Sequence, residues 1–410
     1  MLFRSQADAR SGPAGVTAST SPTTLPTVSV VIVTWNGRRH LAPCLDSLAT
    51  QQGVTLDVIL VDNGSEDDSV GFVRQHYPWV RVLALSENRG FAGGNNAGAA
   101  LATSTYLALL NNDTIADPGC LRALVDGLDD ARGVRLTTAQ IVYMHDPSLI
   151  DSAGDGMMRA GGAFKHFHGA SVELARQSRD VFGVCGAACL MPKAVYDELG
   201  GFDEAFFFSH EDVDLSYRAQ LLGHRCRYIA EARVRHHGSG TSGRTSPFAV
   251  FHAHRNAEWL WLKSTPTGLY WRTFPAHVLY TLAAAVYFAR IGRLGAFLRG
   301  KVAALTGLSA MLKTRAMVQA SSPTRSRVWE IFIATVMSRS SVASGALASR
   351  WMAMSSISIS NWSRMLSSSS TFRATASSRS TSARMERETD DSAWLAIARR
   401  FSFSFASSSA

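Results

Sequence analysis

At 410 residues the chain can hold two or three domains and bury a large core. Its formal net charge of +9 would fit a nucleic-acid partner, but net +8 falls between Trp259 and Ala320 and net +6 beyond Ala320; residues 1–258 carry −5, which argues against that reading. The five cysteines, Cys44, Cys120, Cys185, Cys189 and Cys226, are odd in number and scattered, which argues against a disulfide framework and fits a reducing compartment.

The first 27 residues are rich in Ser, Thr, Ala and Pro and lack an apolar run, so they read as a loose tail and not as a signal peptide. Val28 to Thr34 (VSVVIVT) is a β-branched apolar run, expected as a strand buried on both faces. Trp35-Asn36-Gly37 breaks it, and Leu41, Cys44, Leu45 and Leu48 then recur at helical spacing. Asp57 to Val61 is a second strand ending in Asp62-Asn63-Gly64-Ser65; a helix with Val70 and Val73 and a short strand, Val80 to Leu85, follow. Asn88 to Asn96 (NRGFAGGNN) reads as a glycine-rich loop leading into an Ala-rich helix, and Tyr106 to Leu110 as a buried strand ending in Asn111-Asn112-Asp113. Strands alternating with helices imply a parallel, twisted sheet with right-handed crossovers.

From Leu121 to Gly243 the pattern is less regular. Val181 to Met191 (VFGVCGAACLM) is small and apolar, expected as a strand that permits close approach of backbone or ligand; its Cys185 and Cys189 have no second pair to complete a zinc site. Gly200-Gly201 is a turn after a helix, and Phe206 to Tyr217 (FFFSHEDVDLSY) carries an acidic cluster into another helix. Phe274 to Ala289 is a largely apolar run of 16 residues, short of the roughly 20 that a spanning helix needs. Ile291, Leu294, Leu298, Val302, Leu305 and Leu312 fall on one side of a helix, with Arg290, Arg293, Arg299 and Lys301 nearby. This pattern predicts a pair of helices lying in a membrane interface, with ordinary helical packing as the alternative. After Ala320, Ser accounts for 27 of the last 90 residues and disorder is expected. The abrupt loss of Lys and gain of Ser and Arg also fits translation in a wrong reading frame, which resequencing the codons for Gln319 to Arg325 would decide.

In an open α/β sheet, ligands bind at the C-terminal ends of the strands. Four features there would suit a nucleoside diphosphate sugar. Asp62 can accept the N3–H of a uracil or thymine, and Thr34, Trp35 and Asn36 offer backbone groups to the same base. Asn88, Arg89, Gly90 and Asn95 would meet ribose and diphosphate. Asp113, with Asn111 beside it, can hold a divalent cation that neutralises the diphosphate. Each has a plainer alternative: Asp62 and Ser65 as a turn and helix cap, Asn95 and Asn96 as caps, Arg89 as a solvated charge, Asn112 or Asp113 capping a helix near Pro118, and Glu211, Asp212 and Asp214 as an acidic first helical turn. A nicotinamide dehydrogenase is disfavoured, because no G-x-G-x-x-G follows the first strand.

The stretches VSVVIVTWNG (28–37), DVILVDNGSED (57–67), ENRGFAGGNN (87–96), LALLNND (107–113), GGFDEAFFFSHEDVDLSYR (200–218) and VRHHGSGTSG (234–243) together resemble the family 2 glycosyltransferases, specifically their bacterial rhamnosyltransferase-like branch. The segment up to about residue 320 is similar to the family's C-terminal extension. The resemblance implies an α/β glycosyltransferase A-type fold, Rossmann-like with a mixed, mainly parallel sheet, followed by C-terminal membrane-associated helices and a disordered tail. The corresponding division is a tail at 1–27, a nucleotide-sugar-binding half at 28–120, an acceptor-binding and catalytic half at 121–245, basic amphipathic helices at 246–320 and a Ser/Arg-rich tail at 321–410.

The resemblance also implies an inverting single displacement with Asp212 as general base and Glu211 beside it able to raise its pKa. Asp113 and Mg2+ or Mn2+ would stabilise the departing diphosphate, with His236 at the family's V-x-H position completing the metal site and His237 as the adjacent alternative. Many members have Asp-x-Asp where this chain has Asn111-Asn112-Asp113, a departure common in this branch that bears on how tightly metal binds without sugar nucleotide. The expected partners are a dTDP- or UDP-linked donor, foremost dTDP-L-rhamnose, a polyprenyl-linked saccharide acceptor and the membrane surface. The expected place is the cytoplasm, peripheral to the inner face of the cell membrane, in cell-envelope glycan synthesis. The competing class is a non-catalytic, membrane-associated sugar-nucleotide binder, against which the intact Asp113 and Asp212 speak.

Overall fold

The computed structural model describes residues 24–238 and 245–321; the tail up to residue 23 and the Ser/Arg-rich stretch from residue 322 lie outside the described residues. The first half alternates as the apolar runs predict: β1 (Thr27–Thr34), α1 (Arg38–Ala49), β2 (Thr55–Asp62), α2 (Ser69–His76), β3 (Arg81–Ala84), α3 (Gly90–Ala99) and β4 (Tyr106–Leu110). These four strands are mutually parallel in the order β4-β1-β2-β3. The period of two in β1 sends Val28, Val30 and Ile32 to one core with Leu41, Cys44, Leu45 and Leu48 of α1, while Val31 faces the opposite core with Ala92 and Ala99 of α3. The register sets Thr34 beside Asp62 at the C-terminal edge.

The expected glycine-rich loop is instead the body of α3, helical from Gly90 onward. Packing overrides helix propensity here. A Cβ on Gly94 would lie 2.7 Å from Val33 Cγ1, and one on Gly98 would lie 2.5 Å from Val31 Cγ1 and 2.8 Å from Val61 Cγ2. Only a side-chain-free face lets this helix sit so close to β1 and β2.

The second half holds β5 (Thr114–Ala116), α4 (Cys120–Asp126), β6 (Val134–Tyr143), β7 (Ile150–Ser152), β8 (Asp155–Met157), β9 (Ala163–Lys165), β10 (Arg179–Val181), β11 (Ala188–Pro192), α5 (Lys193–Glu198), α6 (Glu211–Leu222) and β12 (Arg225–His236). The large sheet runs β10-β12-β6-β11-β4-β1-β2-β3, with β5 paired to β12 and β7 to β6. Strand β11 lies antiparallel between β4 and β6, and β6 and β12 are parallel to each other, so the sheet is mixed and mainly parallel. The single strand expected over Val181 to Met191 divides into the end of β10, a loop and β11. The loop is needed to pass the start of α6, where a Cβ on Gly183 would lie 2.8 Å from Ser216 Cβ. The strand β5 follows Asp113 directly, so neither Asn112 nor Asp113 caps α4.

The C-terminal part forms four helices, α7 (Pro247–Ser264), α8 (Thr267–Arg290), α9 (Leu294–Thr306) and α10 (Leu308–Ala320), so the stretch from Phe274 to Leu312, expected as a pair, spans α8, α9 and the start of α10. Glycine explains two of the breaks. Gly292 adopts φ +69° after α8, and a Cβ on Gly307 would lie 2.5 Å from Trp259 Cζ2. Ala296, Phe297, Gly300 and Ala304 of α9 are buried, while the predicted stripe of Leu298, Val302 and Leu305 faces outward, as does Leu312 of α10. Among the described residues no helix is long and apolar enough to cross a membrane. The five cysteines are all buried and unbridged.

Candidate functional site

Four strand and helix ends converge along the C-terminal edge of the parallel strands. At the β1 and β2 ends, Asp62 is buried, and its Oδ2 accepts the Ser65 N–H at 3.1 Å. Its Oδ1 is buried with no hydrogen-bond partner, an acceptor held ready for a donor that the protein does not supply. The turn after β1 is locked to the loop after β2. Asn36, at φ 51°, donates its N–H to Ser65 Oγ at 2.9 Å and accepts the Glu66 N–H on Oδ1 at 2.8 Å. Thr34 Oγ1 accepts from Asn112 Nδ2 at 2.9 Å, a bond that exists because residue 37 is glycine: a Cβ there would lie 2.2 Å from that Nδ2. Trp35 is 46% exposed and free to cover a flat ligand.

The residues of the glycine-rich stretch are more committed than the sequence implies. The N–H groups of Arg89, Gly90 and Phe91 donate to Asn63 Oδ1, Asn88 Oδ1 and Phe207 O at 3.0, 2.9 and 2.8 Å. Arg89 pairs through Nη2 with Glu204 at 3.0 Å, and Asn95 is buried, donating Nδ2 to Phe91 O at 2.9 Å within α3. These amides and side chains therefore brace the site, and the expected direct contacts of backbone amides with a diphosphate are not open at Arg89, Gly90 and Phe91. At φ +72°, a Cβ on Gly90 would meet Phe207 O at 2.3 Å, so this position needs glycine for both conformation and space.

Asp113 follows β4, and the β5–β12 register brings His236 opposite Thr114. His236 Nε2 lies 3.2 Å from Asp113 Oδ1, and Nδ1 lies 2.8 Å from Oδ2 of Asp151, a fully buried carboxylate that also receives Lys165 Nζ at 3.3 Å. Burial opposes charge on the imidazole, but hydrogen bonds to Asp113 and Asp151 outweigh it and push its pKa up to about 9. Burial would likewise raise Asp113, yet His236 and then His40 hold it below the usual carboxylate range. Strand alternation turns His236 inward and leaves His237 exposed, its ring 4.9 Å from that of His40. Asn111 Nδ2 lies 3.4 Å from His236 Nε2.

Among the described residues no three His, Cys, Asp or Glu side chains converge as a metal cage. The donor set fits a divalent cation completed by ligand oxygens and water when the cation displaces the His236 Nε2 proton: Asp113 then faces an imidazole whose second nitrogen stays anchored on the buried Asp151.

On the far side stands the start of α6. Glu211 is buried and its Oε2 has no hydrogen-bond partner; burial, then the neighbouring Asp212, pushes its pKa up to about 8. Burial raises Asp212 as well, but the Gly186 N–H at 2.8 Å and its own helix's Val213 N–H at 2.8 Å favour its anion. Both carboxyls are therefore held above the ordinary carboxylate range, with the Gly186 and Val213 N–H groups restraining the rise of Asp212. Burial is the first cause of the rise at both carboxyls, and Asp212 is the second at Glu211. The chain reaches α6 through Phe207, Ser209 and His210, all non-glycine at positive φ (61°, 72° and 72°), each costing roughly 1–3 kcal/mol. Asp151, Lys165, Gly186 and the α7 side chains around this loop had no signal in the sequence, because each acts through contacts 14 or more residues away.

Residues 29–200 match the family model described as Glycosyl transferase family 2. The chain is 29% identical over 267 residues, 59% of its length and 86% of the relative's, to an N-acetylglucosaminyl-diphospho-decaprenol L-rhamnosyltransferase of Mycobacterium tuberculosis. It is also 27% identical over 226 residues to a validoxylamine A glucosyltransferase of Streptomyces hygroscopicus subsp. jinggangensis, covering 48% of this chain and 52% of that one. A third relative, the succinoglycan biosynthesis protein ExoO of Rhizobium meliloti, is 33% identical over 108 residues, 26% of this chain and 31% of its own.

Proposed function

Because residues 29–200 match the glycosyl transferase family 2 model and the chain is similar to a rhamnosyltransferase, we propose that it moves a sugar, foremost L-rhamnose, from a dTDP- or UDP-linked donor to a polyprenyl-linked saccharide with inversion at the anomeric carbon. The observation that carries the proposal is the Glu211–Asp212 pair at the start of α6, where Asp212 Oδ2 accepts the Gly186 N–H at 2.8 Å beside the buried Glu211. Asp62 Oδ1 accepts the N3–H of the pyrimidine base, with Trp35 and Asn36 framing it. Asp113, with His236 once its Nε2 proton is displaced, would hold Mg2+ or Mn2+, which would supply positive charge opposite the diphosphate. Asp212 takes the proton from the acceptor hydroxyl as its oxygen bonds to the anomeric carbon and the bond to the diphosphate breaks, the electron pair leaving with the diphosphate. Protonated Glu211 keeps a second negative charge away from that base.

The lipid-linked acceptor is named from the mycobacterial relative, and the surface of the C-terminal helices supports a membrane setting. Trp271, Leu279 and Leu282 of α8 and Val302 and Leu305 of α9 are 58–69% exposed, and no acidic residue occurs between Trp259 and Ala320. Such a surface suits peripheral contact with anionic lipid at the inner membrane face. Replacing Asp212 by Asn tests the chemistry: kcat should fall by about 10²-fold or more with donor affinity unchanged. Wild-type turnover in that variant would remove Asp212 as the base.

A further inference from the structure

The family model ends at residue 200, yet the loop that delivers Asp212 is held by a helix well beyond it. Asn256 of α7 is fully buried, and its Nδ2 lies 2.9, 2.9 and 2.7 Å from the carbonyl oxygens of Phe206, Phe208 and Ser209. Its Oδ1 accepts from Arg255 Nε at 2.9 Å, which fixes the amide so that the donor end faces the loop. Arg255 Nη2 donates to Ala205 O and Phe206 O at 3.0 and 2.9 Å. One turn earlier on α7, His252 stacks on Phe207 with ring centroids 5.6 Å apart. Two turns later Lys263 Nζ bridges Asp203 and Asp214 at 2.6 and 2.7 Å, on either side of the loop.

These contacts fall on the segment whose backbone most needs holding. Phe207, Ser209 and His210 occupy left-handed conformations that L residues rarely adopt, and a strained segment persists only where its surroundings over-determine it. The helix carrying Glu211 and Asp212 begins immediately afterwards. The same loop reaches the donor side, since Phe207 O accepts the Phe91 N–H at the start of α3.

We propose that Asn256, seated by Arg255, is a positioning residue for the transfer step: its two N–H groups, one of them shared, tie three loop carbonyls, set the direction in which α6 starts, and so place the Asp212 carboxylate against the Gly186 N–H and the acceptor hydroxyl. This rests on the reading of Asp212 as the base. Helix α7 is thereby part of the catalytic apparatus and not an appended membrane adaptor.

The test uses the full chain with Asn256→Asp, which keeps the shape of the side chain but removes its donors, and Asn256→Ala. Both should lower kcat at least tenfold while the KM for sugar nucleotide and the affinity for the free nucleoside diphosphate stay within twofold. A kcat per folded molecule within twofold of wild type in Asn256→Asp would overturn the proposal by showing that only volume matters. Should neither variant fold, Arg255→Lys, which keeps a cation but frees the Asn256 amide to rotate, should still lower kcat threefold or more at unchanged KM, and an unaltered kcat there would overturn it equally. Asp212→Asn, measured alongside, separates the two claims. If it retains turnover while Asn256→Asp loses it, the base assignment fails; if it loses turnover while Asn256→Asp does not, the positioning role fails.

Discussion

Lys263 is a cation with a side chain only 1% exposed, and replacing it with Met should destabilise the protein by about 3 kcal/mol. The two partners respond differently. Asp203 is 20% exposed on its side chain and can rehydrate when the ammonium is gone. Asp214 is fully buried and keeps only Arg218 Nε, at 2.9 Å, so the cost comes mainly from half of one carboxylate left without a cation. That places the loss near the low end of the roughly 3–5 kcal/mol seen when one partner of a buried pair is removed. Met retains the apolar stem, so little cavity is added. At about 2–4 °C per kcal/mol, thermal unfolding should move down by about 6–12 °C. Burial tends to raise Asp214, but Lys263 and then Arg218 hold its pKa below the ordinary carboxylate value. A lowered folded-state pKa contributes stability above the unfolded pKa and loses it as pH falls through the folded value. The deficit of Lys263→Met should therefore be full at neutral pH and shrink in acid below the ordinary Asp range. Urea unfolding at several pH values would measure it, and a neutral-pH loss below about 1 kcal/mol, or a deficit that grows in acid, would refute the reasoning.

Asp62→Asn should weaken binding of uridine or thymidine diphosphate by about 10-fold or more, because a charge-assisted hydrogen bond is worth roughly 1.5–3 kcal/mol. Calorimetry against a panel of nucleoside diphosphates, with and without Mn2+, would read this, and a purine preference in the wild type would contradict the assignment. Gly98→Ala should cost about 1–3 kcal/mol in thermal stability through contact with Val31 and Val61, and an unchanged melting temperature would show that α3 can retreat from the sheet. Leu279→Glu combined with Leu282→Glu, both at exposed positions, should reduce co-sedimentation with phosphatidylglycerol vesicles by about tenfold or more while leaving turnover of a soluble acceptor intact. Equal sedimentation of variant and wild type would point away from α8 as the lipid-facing element.

Much of the sheet edge that carries the candidate site can be read from the chain because it is locally encoded. A β-branched run buried on both faces announces β1 and β2, and the polar residues that end such runs fall at the sheet's C-terminal edge, which is why Asp62 and Asp113 were recognisable before any fold was known. The Glu211–Asp212 pair was visible for the same reason, as an acidic opening to a helix. The glycines of NRGFAGGNN were misread as a loop, since propensity describes an isolated helix and says nothing of the close sheet face that Gly94 and Gly98 make possible. The helices between Phe274 and Leu312 were under-counted because glycine breaks between apolar runs look, in one dimension, like tolerated interruptions.

The sequence by itself determined which side chains stand at strand ends and helix starts, for that depends on hydrophobic period and the turn chemistry of adjacent residues. Tertiary structure alone decided what those side chains become. His236 meets Asp113 only because β12 pairs with β5, and Asp113 together with Asp151, 85 residues away in the chain, pushes its pKa up. Asp212 meets an N–H of the β10–β11 loop, and the strained approach to its helix is held by an amide on α7. Burial, hydrogen bonding and the pairing of charges depend on distance in space, and no local pattern of residues records which distant segment will supply them.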